Sequence, residues 1–305
     1  MGEVLLQTTN LTKVFGKQKA VNQVNVTINK GSIYGFIGRN GAGKTTFLRM
    51  VSGLAHQTEG EISLFGKTGK ALSDVRNRIG CLIESPGIYG DMTAYENIKA
   101  KCIFCGVTKK GYVEEVLELV GLSDAGKKKA KNFSLGMKQR LGIGLAMVGE
   151  PDLLVLDEPI NGLDPKGIVE VRETILKLNR ERNMTILISS HILEELSKIA
   201  THYGILHQGV LVQELTREEL MEQCNQRIVI NCDKPQQALM VLDQMGITRY
   251  QVTDQHHVSV YERLEDTGMI NRQLVQANVM VHEIELAGEE LESYYLRVTG
   301  GMDHV

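Results

Sequence analysis

The sequence contains no tryptophan, and only 5 cysteines and 5 prolines occur among its 305 residues. So few cysteines do not make a disulfide framework, and they favour a reducing compartment such as the cytosol. The formal net charge is -3, without the basic excess of nucleic-acid-binding proteins, so we expect no nucleic-acid partner. We also predict no signal peptide, and no apolar run is long enough to span a membrane. We therefore expect any membrane role to depend on a partner.

The apolar pattern changes along the chain and predicts two domains. Alternating apolar residues predict strands at Val4–Thr9 and Val21–Ile28, and the period becomes helical between Thr93 and about Gly149. Short apolar strands then flank a helix at 165–182, which indicates an α/β domain with a parallel sheet. We predict this domain at 1–215, with a helical subdomain at about 88–149.

The remaining segment, 216–305, has a different order of elements. Strands are predicted at 227–231, 250–253, 257–261 and 279–286, and helices at 235–245, 269–277 and 289–298. The order β-α-β-β-α-β is that of a ferredoxin-like arrangement. We predict a small α+β domain with no catalytic cluster of its own.

Residues 38–46 fit the pattern G-x-x-x-x-G-K-[ST] of a phosphate-binding P-loop. A short apolar run at 33–37 precedes them, and an apolar-periodic segment begins at Phe47, so a strand should end and a helix should start here. Glycine allows backbone N–H groups to approach phosphate oxygens, which a Cβ atom would obstruct. We predict that a nucleoside triphosphate binds to this loop, at the positive end of the helix.

Individual side chains of this segment have separate expected roles. Lys44 would contact the β- and γ-phosphates, and the hydroxyl of Thr45 would bind Mg²⁺. Phe15, in a turn between two predicted strands, is a candidate for stacking on an adenine ring, with a core aromatic as the alternative. The predicted ATP-binding residues are Phe15, Gly38, Asn40, Gly41, Gly43, Lys44, Thr45 and Thr46.

A second chemical feature is the apolar run at 153–156, which ends in two adjacent carboxylates. An uninterrupted run of this length is typical of a buried parallel strand. Because side chains alternate along a strand, Asp157 and Glu158 point in different directions and can have different roles. We expect Asp157 to hold Mg²⁺ together with Thr45. Glu158 would orient or deprotonate an attacking water molecule.

Three further motifs are present: Phe-Ser-Leu-Gly-Met-Lys-Gln-Arg at 133–140, Asn-Gly-Leu-Asp at 161–164, and His191. With the P-loop and the acidic strand end, they resemble the signature, D-loop and switch histidine of ABC transporter ATP-binding subunits. The resemblance covers roughly residues 4–215. A P-loop alone does not separate ABC proteins from kinases or GTPases, but five ordered motifs do. The resemblance implies an α/β P-loop NTPase that hydrolyses ATP.

The resemblance also implies how the motifs cooperate. Two subunits would enclose two ATP molecules head to tail, each site combining one P-loop with the signature of the other chain. The second subunit would be another copy of this chain or a close relative. His191 would contact the γ-phosphate and act with Glu158 in catalysis. The signature residues are Ser134, Leu135, Gly136 and Gln139, and Asp164 belongs to the D-loop.

Two motifs depart from the family pattern. The usual signature, Leu-Ser-Gly-Gly-Gln, is replaced by Phe-Ser-Leu-Gly-Met at 133–137. Glu84 stands where the family normally carries the Q-loop glutamine. Its carboxylate would supply an oxygen to Mg²⁺ and add negative charge near the phosphates. The expected metal ligands are therefore Thr45, Glu84 and Asp157.

Residues 83–89 and 133–139 are similar to the bacitracin-transport type of ABC ATPases, which includes lantibiotic-immunity transporters. This implies export or removal of a substrate, with peptide antibiotics as candidates, through a separate membrane permease. The chain would then lie on the cytoplasmic face of the cell membrane, and segment 86–98 is where family members usually meet the permease. Two alternatives are a soluble ABC ATPase acting on ribosomes or DNA, and a non-hydrolysing regulator suggested only by Glu84.

Overall fold

The computed structural model describes residues 2–289 and 291–300. The chain divides into two compact units between Arg217 and Glu218. The predicted domain boundary at about residue 215 stays a proposal. Within the described residues, no helix is both long and apolar enough to cross a membrane.

The first unit combines two sheets with helices. Its strands are β1 (Val4–Phe15), β2 (Gln18–Asn29), β3 (Ile33–Ile37), β4 (Glu59–Leu64), β5 (Lys67–Thr68), β6 (Ile79–Leu82), β7 (Leu153–Asp157), β8 (Thr185–Ser190), β9 (His202–His207) and β10 (Val210–Thr216). Its helices are α1 (Lys44–Val51), α2 (Ala94–Phe104), α3 (Tyr112–Leu119), α4 (Leu135–Met147), α5 (Pro165–Arg182) and α6 (Leu193–Ser197). Helix α7 (Arg217–Gln223) begins at the division between the units.

The central sheet of this unit has the order β10-β9-β3-β8-β7-β6. Neighbouring strands are parallel except for the β9–β10 hairpin. Every residue of β3, β7 and β8 is buried, which explains their continuous apolar runs. The carboxyl ends of these strands lie along one edge, where open α/β sheets bind ligands.

A second, antiparallel sheet has the order β2-β1-β4-β5. Its inward side chains alternate with exposed ones, as Val24, Val26 and Ile28 show. They share one apolar core with Phe36 of β3 and Phe47 of α1. This shared core fixes the antiparallel sheet beside the strand and helix that flank the P-loop.

The segment between β6 and β7 is helical. Helix α2 begins at a capping box, in which the Thr93 side chain accepts from the Glu96 amide and Glu96 accepts from the Thr93 amide. Helix α4 packs closely on α2 and α3, since a Cβ atom at Gly144 would lie 3.2 Å from Ile98 and 3.3 Å from Val116. The predicted fold class, a P-loop α/β domain with a helical subdomain, is confirmed.

The second unit contains β11 (Arg227–Cys232), α8 (Pro235–Gln244), β12 (Tyr250–Val252), β13 (His257–Val260), α9 (Thr267–Gln276), β14 (Val281–Ala287) and α10 (Leu291–Gly300). The antiparallel sheet has the order β12-β13-β11-β14. Its apolar face, with Ile228 and Val258, forms a core with Leu242 of α8 and Leu274 of α9. This order and these helices confirm the predicted ferredoxin-like arrangement.

The predicted bounds differ from the observed ones at a few elements. Strand β6 was expected to continue through Glu84 but ends at Leu82, because Glu84 has φ 66, in the left-handed region. Helix α7 was not predicted. Glu290, within the predicted last helix, and residues 301–305 of the predicted C-terminal domain lie outside the described residues.

Candidate functional site

Three parallel strands bring the predicted catalytic residues to one edge of the central sheet. Ile37 at the end of β3 pairs with Ser190 of β8, and Asp157 at the end of β7 pairs with Ser189. The P-loop follows β3, and His191 follows β8. The strand register thus brings residues that are more than a hundred positions apart in the sequence to the same edge of the sheet.

The P-loop has the backbone that phosphate binding requires. Gly41 and Gly43 have φ 84 and 106, in the left-handed region that favours glycine. A Cβ atom on Gly43 would lie 2.2 Å from the carbonyl oxygen of Ala20, whereas one on Gly41 would meet nothing within 4 Å. Helix α1 starts directly after Gly43 and has no side-chain cap, and the first amides of such a helix suit an anion. The residues present fit a phosphate group.

Lys44 lies at the centre of the site and is buried. Its Nζ donates to the carbonyl oxygens of Gly38 at 2.5 Å and Arg39 at 3.2 Å, and it lies 3.0 Å from Oε1 of Glu158. A buried ammonium group requires compensation by opposite charge or oxygen acceptors. Phosphate oxygens can replace Glu158 as the anionic partner.

Asp157 is held by two hydroxyl groups. Thr45 Oγ1 donates to Oδ2 at 2.8 Å, and the buried Ser189 Oγ donates to Oδ1 at 2.6 Å. No cluster of three or more His, Cys, Asp or Glu suited to a metal ion occurs in the described part of the chain. One carboxylate and one hydroxyl still fit Mg²⁺, which typically keeps several waters and completes its shell with substrate phosphates.

Glu158 joins the P-loop to His191. Its Oε1 lies by Lys44, and its Oε2 lies 2.7 Å from Nδ1 of His191. The backbone at Glu158 has φ 48, uncommon for a residue with a Cβ atom, and its amide donates to Ser189 Oγ at 3.0 Å. The local backbone therefore turns this carboxylate toward the place where a terminal phosphate would meet Lys44.

The other predicted ATP-binding residues surround this centre. Phe15 ends β1 and is 54% exposed, with Nζ of Lys13 5.0 Å from its ring centroid. The adjoining strand β2 supplies the Ala20 carbonyl group that lies against Gly43. A solvent-facing ring at the end of β1 is suited to stacking, which favours this interpretation over the core alternative. Asn40 is exposed and Thr46 is half-buried.

Glu84 is the third expected metal ligand, and it follows β6. Its side chain is 64% exposed and forms an ion pair with Arg49 of α1. The structure therefore brings together two of the three expected metal ligands, and it places the third beside the P-loop helix.

The signature residues form a separate surface at the start of α4. Ser134 caps this helix by accepting from the Met137 amide at 3.2 Å, and Leu135 is 49% exposed. A Cβ atom at Gly136 would lie 3.2 Å from Cα of Gly167, so α4 and α5 approach closely. Asp164 caps α5 by accepting from Gly167 at 3.2 Å. Gln139 is buried.

Sequence reasoning missed Ser189, whose hydroxyl donates to the Asp157 carboxylate and accepts from the Glu158 amide. The available signal was the Ser-Ser pair that ends an apolar strand directly before His191. It also missed Arg49 and Gly167, because neither belongs to a motif defined by sequence spacing.

Comparison with known proteins agrees with this geometry. Residues 21–161 match the family described as ABC transporter. The chain is 42% identical to the bacitracin transport ATP-binding protein BcrA of Bacillus licheniformis over 97% of its length and 98% of that protein. The chain belongs to the ATP-binding subunits of ABC transporters.

The chain is also similar in sequence and in structure to other ATP-binding subunits of ABC transporters. The lantibiotic transport ATP-binding protein SrtF of Streptococcus pyogenes is 43% identical over 69% of this chain and 90% of that protein. The ADP conformation of MJ1267, an ATP-binding cassette of an ABC transporter, superposes with a TM-score of 0.63 at 26% identity. The superposed region covers 70% of this chain and 91% of the MJ1267 chain. This ABC subunit therefore binds ATP and hydrolyses it.

Proposed function

We propose that this ABC subunit drives export or removal of a peptide antibiotic through a separate membrane permease, from the cytoplasmic face of the membrane. The observation that carries the proposal is the set of contacts joining Lys44, Glu158 and His191 at the sheet edge. Full-length similarity to a bacitracin transport ATP-binding protein supports the choice of substrate class.

The site residues have distinct proposed roles. Lys44 and the P-loop amides bind the phosphates, and Phe15 stacks on adenine. Thr45 and Asp157 hold Mg²⁺, which would neutralise phosphate charge, and Ser189 orients the carboxylate. Glu158 takes a proton from the attacking water, and His191 holds the carboxylate in position.

The working form is proposed to be a dimer of this chain. Helix α4 begins at a capped end, where Leu135 is exposed. In the proposed arrangement, this helix end does not contribute to the ATP site of its own chain. A helix N-terminus favours an anion. In a head-to-tail pair, this end would face the terminal phosphate held by the other P-loop.

A groove between the Q-loop segment and the helical subdomain is the proposed permease contact. It encloses about 920 Å³ and is lined by Leu54, Ile83, Pro86, Tyr89 and Phe104. Phe104 is 87% exposed at the end of α2. Such an exposed aromatic side chain is typical of a protein interface. The proposed occupant is a short amphipathic helix from a cytoplasmic loop of the permease.

The loop at one wall of this groove is preorganised by a buried asparagine. Asn97 accepts from the Tyr89 amide at 2.8 Å and donates to the carbonyl oxygens of Tyr89 at 3.1 Å and Thr93 at 2.8 Å. Burial raises the pKa of the Cys81 thiol in the same groove, and Lys101, which also lines the groove, opposes the shift. A fixed, mostly apolar groove suits an amphipathic helix.

The function is tested in the source organism by deleting the gene and restoring it with variants. We expect the deletion to increase sensitivity to bacitracin or a lantibiotic, and wild type to restore resistance. Phe104→Asp should fail to restore it, although the purified variant hydrolyses ATP, because a charge in the groove disfavours permease binding. Ile103→Asp is the matched control: Ile103 is 72% exposed next to Phe104 but does not line the groove.

Unchanged sensitivity of the deletion strain to all peptide antibiotics tested would contradict the proposed substrate class. Full resistance with Phe104→Asp would contradict the proposed permease groove.

A further inference from the structure

The ion pair between Arg49 and Glu84 connects the P-loop helix to the segment that departs from the family pattern. Glu84 follows β6, whose Leu82 pairs with Leu156 of β7. Glu84 therefore lies on the same sheet edge as Asp157 and Glu158. Its backbone has φ 66, so a left-handed turn directs the chain away from the strand at this point.

Arg49 reaches Glu84 from the helix that begins at the phosphate site. Helix α1 runs from Lys44 to Val51, so Thr45 and Arg49 are separated by four residues and lie on one face. Four residues of helix rise about 6 Å. The charged pair is thus about one helical turn from the hydroxyl that contacts Asp157.

A carboxylate at the position of Glu84 has an electrostatic cost. ATP carries several negative charges, and an additional negative charge within about 10 Å, roughly one Debye length, weakens its binding. An arginine paired with that carboxylate restores local neutrality. The two side chains are 40% and 64% exposed, so the pair contributes little to folding stability. The ion pair still changes the electrostatic potential at the P-loop, whether or not it stabilises the fold.

We propose that Arg49 is a positioning residue that holds and neutralises Glu84, so that ATP binds without meeting the full charge of this carboxylate. Arg49 thereby compensates for the replacement of the Q-loop glutamine. The inference rests on the proposed function, in which the P-loop at the start of α1 binds the phosphates of ATP.

The test is the equilibrium dissociation constant for ATP, measured by calorimetry at low salt with EDTA, so that only the charges of the chain act. Arg49→Gln should raise the Kd about three- to tenfold, an effect that shrinks as salt is added. Arg49→Lys should stay within about twofold of wild type, because the charge is kept. Glu84→Gln should keep or lower the Kd, and the double variant Arg49→Gln/Glu84→Gln should return close to wild type.

Arg78→Gln is the matched control. Arg78 is 43% exposed and pairs with Asp152 at 2.7 Å, and this change should leave the Kd unchanged. Thermal unfolding of each variant checks that it is folded. An unchanged Kd for Arg49→Gln would overturn the inference. So would a double variant that binds ATP as weakly as Arg49→Gln alone. Failure of the wild-type chain to bind ATP would instead contradict the proposed function.

Discussion

Replacing Glu158 by glutamine is expected to lower steady-state ATP hydrolysis by about 10²–10⁴-fold, the range for loss of a general base. The amide keeps the size of the side chain but does not accept a proton from water. ATP binding should persist, since Lys44 loses only its present anionic partner at 3.0 Å and gains phosphate oxygens. Bound ATP should then hold two chains together, so size-exclusion chromatography with Mg²⁺ and ATP should show a dimer.

Glu61→Gln is the control for this change, because Glu61 is an exposed carboxylate on β4 of the antiparallel sheet. It should hydrolyse ATP at the wild-type rate. Wild-type hydrolysis by Glu158→Gln would show that the proposed base is wrong, and loss of ATP binding would assign Glu158 to nucleotide affinity instead.

Lys44→Ala is expected to weaken ATP binding by about 100-fold or more. The change removes charge-assisted hydrogen bonds to phosphate, each of which contributes about 1.5–3 kcal/mol. It also leaves the carboxylate of Glu158, 19% exposed, without its neighbouring cation at the site where phosphates must bind. Both effects act against ATP, and equilibrium binding with Mg²⁺ measures their sum.

Lys166→Ala is the control for this prediction, because Lys166 is 83% exposed on α5. It should bind ATP as wild type does. A Lys44→Ala Kd within a few-fold of wild type would mean that the P-loop amides alone bind the phosphates.

The sequence predicted those functional residues whose motif is defined by the spacing of residue types along the chain. The P-loop and the Asp157–Glu158 strand end were found because each combines an apolar strand with polar residues at a fixed offset. The structure adds that Thr45 contacts Asp157 and that Glu158 contacts His191. Helix α7 was missed, although Thr216 followed by Glu219 is a capping-box signal for a helix start.

Contacts between distant elements could not be derived in this way. Ser189 positions Asp157 across neighbouring strands, and Arg49 pairs with Glu84 through a left-handed turn. Both depend on strand register and backbone direction, which a single sequence does not specify at the level of one residue. Glu84 was accordingly expected at the metal, whereas its side chain contacts Arg49.

The central claim is that one ATP site combines the P-loop of one chain with the signature of another, and mixing two inactive variants tests it. Lys44→Ala disables the P-loop. Leu135→Glu places a negative charge at the exposed start of α4 without disturbing buried packing. Each variant alone should hydrolyse ATP poorly.

The decisive measurement is the ATPase rate of an equal mixture of these two variants. We predict about one quarter of the wild-type rate, because about half of randomly formed dimers are mixed and each mixed dimer has one complete site of two. A mixture of Lys44→Ala with Glu158→Gln should recover no ATPase activity. Lys44 and Glu158 belong to the same half of the shared site, so both sites of a mixed dimer would be defective. Absence of recovery in the first mixture, or equal recovery in both, would contradict the shared site.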